Sequence, residues 1–107
     1  RELRQRIATV IENIIKLQFS PAGEPRAGWE ETVRRSRREI GYILDDSPSL
    51  RPQVRDLAAK EGGDARSFAT DALREHGEVA GALAARLVDV TYTPDQILND
   101  WWPDSHA

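Results

Sequence analysis

The amino-acid sequence predicts an all-α fold, an antiparallel bundle of four to five helices in a single domain. Three observations predict it. Apolar residues recur at helical spacing along most of the chain, prolines and glycines gather where those patterns stop, and 107 residues allow one hydrophobic core but not two.

In the first segment Leu3, Ile7, Val10, Ile14 and Leu17 fall at spacings of 4, 3, 4 and 3, with Ile11 and Gln18 beside them and Arg4, Glu12 and Lys16 pointing elsewhere. This is an amphipathic helix with a coiled-coil-like seam. It must stop before Pro21, because the residue preceding a proline avoids helical backbone angles. Residues 20–28 read as a loop, with Phe19 folding back onto the core.

A second helix is expected to open near Gly28 or Trp29, with Glu30 and Glu31 in its first turn, where carboxylates suit the positive end of the helix dipole. Trp29, Val33, Ile40, Ile43 and Leu44 share one face, with Ser36 the small polar residue on it. Arg34, Arg35 and Arg38 fall on the opposite face, and Arg37 sits at the apolar border, where its stem can cover hydrophobic surface. Glu30 to Arg34, Glu31 to Arg35 and Arg35 to Glu39 are spaced for pairs worth about 0.2 to 0.5 kcal/mol each. With Trp29 in the core, its truncation to alanine would cost about 3 to 5 kcal/mol.

Asp45-Asp46-Ser47-Pro48 ends that helix, and Ser49 is the expected N-cap of the next, with Pro52 in its first turn. Leu50, Val54, Leu57, Ala58, Ala65, Phe68, Ala69 and Ala72 then keep helical phase straight through Gly62-Gly63. One long helix from about Leu50 to His76 follows, weakened at the glycine pair by about 2 kcal/mol relative to two alanines. Breakage into two helices at that pair is the alternative. Gly77 is placed as a stop, and Glu78 to Val88 read as an alanine-rich helix without a well-defined apolar face. Thr93-Pro94-Asp95-Gln96 supplies an N-cap, a proline at the first helical position and a capping-box glutamine. A short helix from Pro94 to about Asp100 is expected, clamped by Ile97, Leu98, Trp101 and Trp102.

Hydrophobic residues at 39% and charged residues at 31% describe a soluble helical protein rather than a disordered one. The absence of cysteine removes disulfides, thiolate metal sites and a cysteine nucleophile together. No run reaches the roughly 18 to 20 apolar residues of a membrane span, and Arg4, Arg6, Glu12 and Lys16 interrupt the most hydrophobic segment. The expectation is a cytoplasmic bacterial-type protein with no membrane partner. A start at Arg1 and the absence of methionine suggest a chain lacking part of its N-terminal region. Net charge is −3, but residues 1–52 carry ten basic and eight acidic side chains against five and ten in residues 53–107. This balance argues against a dedicated nucleic-acid binder, which shows a strongly basic domain.

Leu3-Arg-Gln-Arg-Ile, Ile14-Ile-Lys16, Trp29 with Thr32, Arg38-Glu-Ile40, Ser47-Pro-Ser-Leu-Arg-Pro52 and Tyr92-Thr-Pro-Asp-Gln-Ile-Leu98, taken in order, resemble the bacterial family catalogued as "domain of unknown function twenty-nine". The serine-proline block is the most distinctive element. The resemblance implies a small helical protein and supplies no established activity, cofactor or catalytic residue. The chain departs from the family pattern at Asn13 and Leu17, where a histidine and a tryptophan are common, and near Gly62, where an aromatic is frequent. Val90-Thr91 replaces a proline-containing approach to Tyr92, and the segment from His76 to Tyr92 is longer than usual. A site built on that histidine would be lacking here.

Candidate chemistry is sparse. His76 and His106 are the two histidines, neither with a glutamate three residues before it, so the di-iron bundle motif is absent and no metal or cofactor is expected. Neither a phosphate-cradling glycine loop nor a nucleophile elbow occurs. Glu61 is the one carboxylate on the apolar face of its helix. It could be a buried acid with a raised pKa, or a partner for Arg37 or Arg51, but pairing within the bundle or reaching out to solvent is favoured. Arg34, Arg35 and Arg38, with Arg51, could track phosphates, yet their acidic neighbours favour a solvated helix face. Trp101 and Trp102 are adjacent on a helix end and cannot both face one core, so one is expected to pack while the other anchors a partner. The expected function is a non-enzymatic helical protein-interaction module for an unidentified protein or a second copy, acting through the arginine-rich helix or the C-terminal tryptophans. The alternative is a nucleic-acid-binding or regulatory protein using Arg34, Arg35, Arg38 and Arg51.

Overall fold

The computed structural model describes residues 2–19, 25–75 and 91–103. The expected helix over 78–88, its stop at Gly77, and both histidines lie outside the described residues.

Helix α1 (Glu2–Phe19) is the centre of the fold. Its seam residues Leu3, Ile7, Val10, Ile14 and Leu17 are buried as the spacing predicts, and Ile11, Ile15, Asn13 and Phe19 are buried as well. At 100° per residue these positions cover about two-thirds of the helix circumference, more than a single seam needs. The cause is a second neighbour. Helix α2 (Arg26–Asp46) packs on one side of α1 and helix α3 (Val54–Glu75) on another. Arg6 meets Glu39 and Lys16 lies over Trp29, so α1 and α2 are antiparallel. Leu3 lies beside Leu57 and Arg4 meets Glu61, while farther along Glu12 and Phe68 share one groove, so α3 runs in the direction of α1 in an up-down-up course.

Buried Asn13 stays hydrogen-bonded by donating its side-chain amide to the Thr9 carbonyl at 2.8 Å. Helix α2 starts two to three residues before the expected position. Pro25 already has φ of −75° and its carbonyl accepts from the Trp29 N–H at 3.1 Å, so the ring pre-sets the first turn and Glu30 and Glu31 fall after it. Val33, Ser36, Ile40 and Leu44 form its buried face. Trp29 is half-buried against the core rather than within it. Of the three expected pairs on this helix, Arg34 to Glu30 and Arg35 to Glu31 form at 3.9 and 3.8 Å. Glu39 instead pairs with Arg6 of α1 at 2.7 Å.

The third helix also begins differently. Pro48–Gln53 is a 3-10 turn following Ser47, with no side-chain cap, and Ser49 lies inside it rather than at the N-cap. Two prolines within six residues remove two N–H donors, so regular α-helix starts only at Val54. From there α3 runs unbroken through Gly62 and Gly63 to Glu75, which settles the choice between one helix and two. Val54, Ala58, Ala65 and Ala69 are buried against α1, whereas Phe68, expected in the core, is 64% exposed. The alanines let α3 lie close to α1, and Phe68, one helical step off that line, is left outside.

A short helix α4 (Pro94–Leu98) closes the fold and contacts the three longer helices. The capping box forms as expected, with Thr93 Oγ1 accepting from the Gln96 N–H at 3.2 Å and Gln96 Oε1 accepting from the Thr93 N–H at 2.9 Å. It ends at Leu98 rather than Asp100, with Ile97 fully buried. The fold of the described residues is thus all-α, and none of their helices is long and apolar enough to cross a membrane.

Candidate interaction surface

The C-terminal tryptophans are held by the bundle itself. Arg37, on the border of the α2 apolar face, reaches across to α4. There its Nε donates to the Ile97 carbonyl at 2.9 Å and its Nη2 to the carbonyls of Gln96 and Trp101 at 2.8 and 2.7 Å. Gln96 and Ile97 belong to the last turn of α4 and Trp101 follows it, so none of these carbonyls has a helical N–H four residues on. Burial lowers the Arg37 pKa from its ordinary value, and the charge of Asp100 opposes that shift.

Trp102 lies beneath two cations, with the Arg37 and Arg34 guanidinium carbons 4.9 and 5.3 Å from its ring centre. Its Nε1–H donates to Asp100 Oδ1 at 3.1 Å. Trp101 packs on the other side of this corner, its ring 6.0 Å from that of Tyr92. The Tyr92 hydroxyl donates to Gln18 Oε1 at 2.6 Å, and burial raises its pKa above the ordinary phenol range. Both tryptophans are half-buried against the core. The expected division into one packed and one free ring is not what the structure has, because the guanidinium of Arg37 supplies a second wall for Trp102. This clasp was missed in the sequence. Its only signal was an arginine on the edge of the apolar face of its own helix.

The four arginines considered for phosphate binding are divided. Arg34 and Arg35 each face a glutamate one turn earlier, and Arg34 also faces Trp102. Arg38 and Arg51 are exposed on different elements, α2 and the 3-10 turn.

Glu61 pairs with Arg4 of α1 at 3.5 Å and is one-fifth exposed, so its partner is neither Arg37 nor Arg51. The ion pair spans a groove between α1 and α3, a space of about 270 Å³. Ala8 and Ala65 lie in it, Glu12 and Asp64 line it, and Phe68 stands at its edge. Three carboxylates therefore face one guanidinium, and Glu12 and Asp64 form no ion pair among the described residues. No group of three or more potential metal ligands converges among the described residues, and no buried side-chain polar atom there lacks a partner. The groove offers shape, an apolar edge and negative charge.

A family model with the description "Domain of unknown function DUF29" matches residues 1–102. No curated protein and no solved structure matches the chain.

Proposed function

Because the chain belongs to the DUF29 family, whose description assigns no activity, we propose its function from its own surface: a non-enzymatic, cytoplasmic bacterial module that binds another protein in the groove between α1 and α3. The observation that carries this reading is Phe68. Its ring has no polar atom, yet it is 64% exposed beside a groove with a small-residue floor. Tyr42 is as exposed, but a phenol carries a hydroxyl that solvent can hydrogen-bond, which a phenyl ring lacks.

A groove between two parallel helices suits a third helix laid along it, with an apolar anchor against Phe68. Glu12, Glu61 and Asp64 select lysine or arginine on that partner. The C-terminal tryptophans serve instead to fasten α4 to α2, since both are already packed. Nucleic acid is the weaker reading, because Arg34 and Arg35 each have a glutamate in reach.

Capture from lysate with and without nuclease tests the choice. A protein that survives nuclease and is lost on Phe68→Asp and on Asp64→Lys supports the groove. Nuclease-sensitive material lost on combined reversal of Arg34, Arg35 and Arg38 would overturn it.

A further inference from the structure

The line of alanines joining α3 to α1 has a second flank, and its chemistry is the reverse of the first. There α3 presents Arg55, Ala58, Ala59, Gly62 and Arg66, spaced as one helical face, toward the segment that leads into α4. Thr91, Tyr92 and Pro94 form the opposite wall and buried Ile11 the floor, enclosing a pocket of about 190 Å³. That is the volume of about six liquid waters, and the lining is mostly carbon, so water gains few hydrogen bonds by filling it.

Two features shape what could. At Gly62 a Cβ would meet nothing within 4 Å, so the absent side chain leaves open space on the α3 wall. At the mouth, exposed Arg55 forms no ion pair among the described residues and stands beside an apolar slot. On the facing wall the Tyr92 hydroxyl is already engaged, donating to Gln18, which leaves the Thr91 hydroxyl as the other side-chain polar group there.

We propose that this pocket binds a small carboxylic acid with an apolar body, its hydrocarbon between Gly62 and Tyr92 and its carboxylate on the Arg55 guanidinium. A short acyl chain matches the volume. A guanidinium pairs with a carboxylate through two parallel N–H donors, which an alcohol or an amine cannot accept in that form. The site is independent of the Phe68 groove, which lies on the other flank of α3.

The test is a titration of the isotopically labelled full chain with hexanoate, followed through backbone amide shifts, with 1-hexanol and hexylammonium as matched probes. Hexanoate is expected to move the amides of Gly62, Thr91 and Tyr92 saturably, and hexanol to bind about tenfold more weakly for want of one charge-assisted hydrogen bond. Arg55→Gln, an exposed substitution, should weaken hexanoate to the level of hexanol. Gly62→Leu should plug the slot and abolish binding of both while the circular dichroism melt stays cooperative. Should Gly62→Leu fail to fold, the Arg55→Gln comparison still decides. The proposal is overturned if hexanoate gives no saturable shift, if hexylammonium binds as well as hexanoate, or if Arg55→Gln leaves the affinity unchanged.

Discussion

Two side chains on α2 and before α4 carry more of the fold than their exposure suggests. Arg37 satisfies three carbonyls at the end of α4 and covers Trp102. Arg37→Ala leaves those acceptors without their donor and should lower stability by about 2 to 3 kcal/mol in urea titration, with Arg37→Lys recovering only part because an ammonium cannot fork. Tyr92 acts through protonation. Its phenol stays neutral in the fold because burial raises its pKa, whereas in the unfolded chain it ionises near pH 10. The unfolded state therefore releases a proton that the folded state keeps, so this contribution is complete below about pH 10 and is lost progressively above it. Wild type should lose more stability between about pH 9 and pH 11 than Tyr92→Phe, and equal losses would contradict the assignment. Residues of this kind were the least legible in the sequence. Arg37 could be placed on the edge of its helix by periodicity, but a contact spanning some 60 positions has no local pattern.

At the scale of the element, legibility followed backbone chemistry. Thr93-Pro94-Asp95-Gln96 is a complete start signal, and the capping box formed as read. Proline cut the other way at two starts. Pro25 drew α2 forward by two to three residues, while Pro48 and Pro52 turned the expected opening of α3 into a 3-10 turn. The glycine pair in α3 tests the energetics most simply. A Cβ at Gly62 meets nothing within 4 Å, and at Gly63 it meets only the end of Arg66 at 4.0 Å. Gly62→Ala with Gly63→Ala should therefore raise stability by about 2 kcal/mol, read as a higher urea midpoint at unchanged slope. A lower midpoint would mean that the helix needs its glycines for something other than space.

For the whole molecule, periodicity identified every long described helix but not how many neighbours each would have. The seam of α1 was legible. That Ile11 and Ile15 face a second neighbour was not, because a helix buried on two sides shows a broader apolar arc without saying what covers it. The same limit explains Phe68, which keeps the phase of the α3 core residues yet stands outside the contact with α1. The two positions should differ sharply on truncation. Ile14→Ala is expected to cost about 2 to 5 kcal/mol, against about 0.5 kcal/mol or less for Phe68→Ala, by urea denaturation of both. A large loss at Phe68 would make it a structural residue and remove the reason for assigning it a partner. The most direct measurement is a pair of amide-shift titrations of the intact chain, one with a short lysine- and leucine-rich helical peptide and one with a short DNA duplex. The account predicts peptide-induced shifts along α1 and α3 around Ala8, Glu12, Asp64 and Phe68, removed by Phe68→Asp, with little response to DNA. Shifts from DNA centred on Arg34, Arg35 and Arg38, with the groove silent toward the peptide, would contradict it.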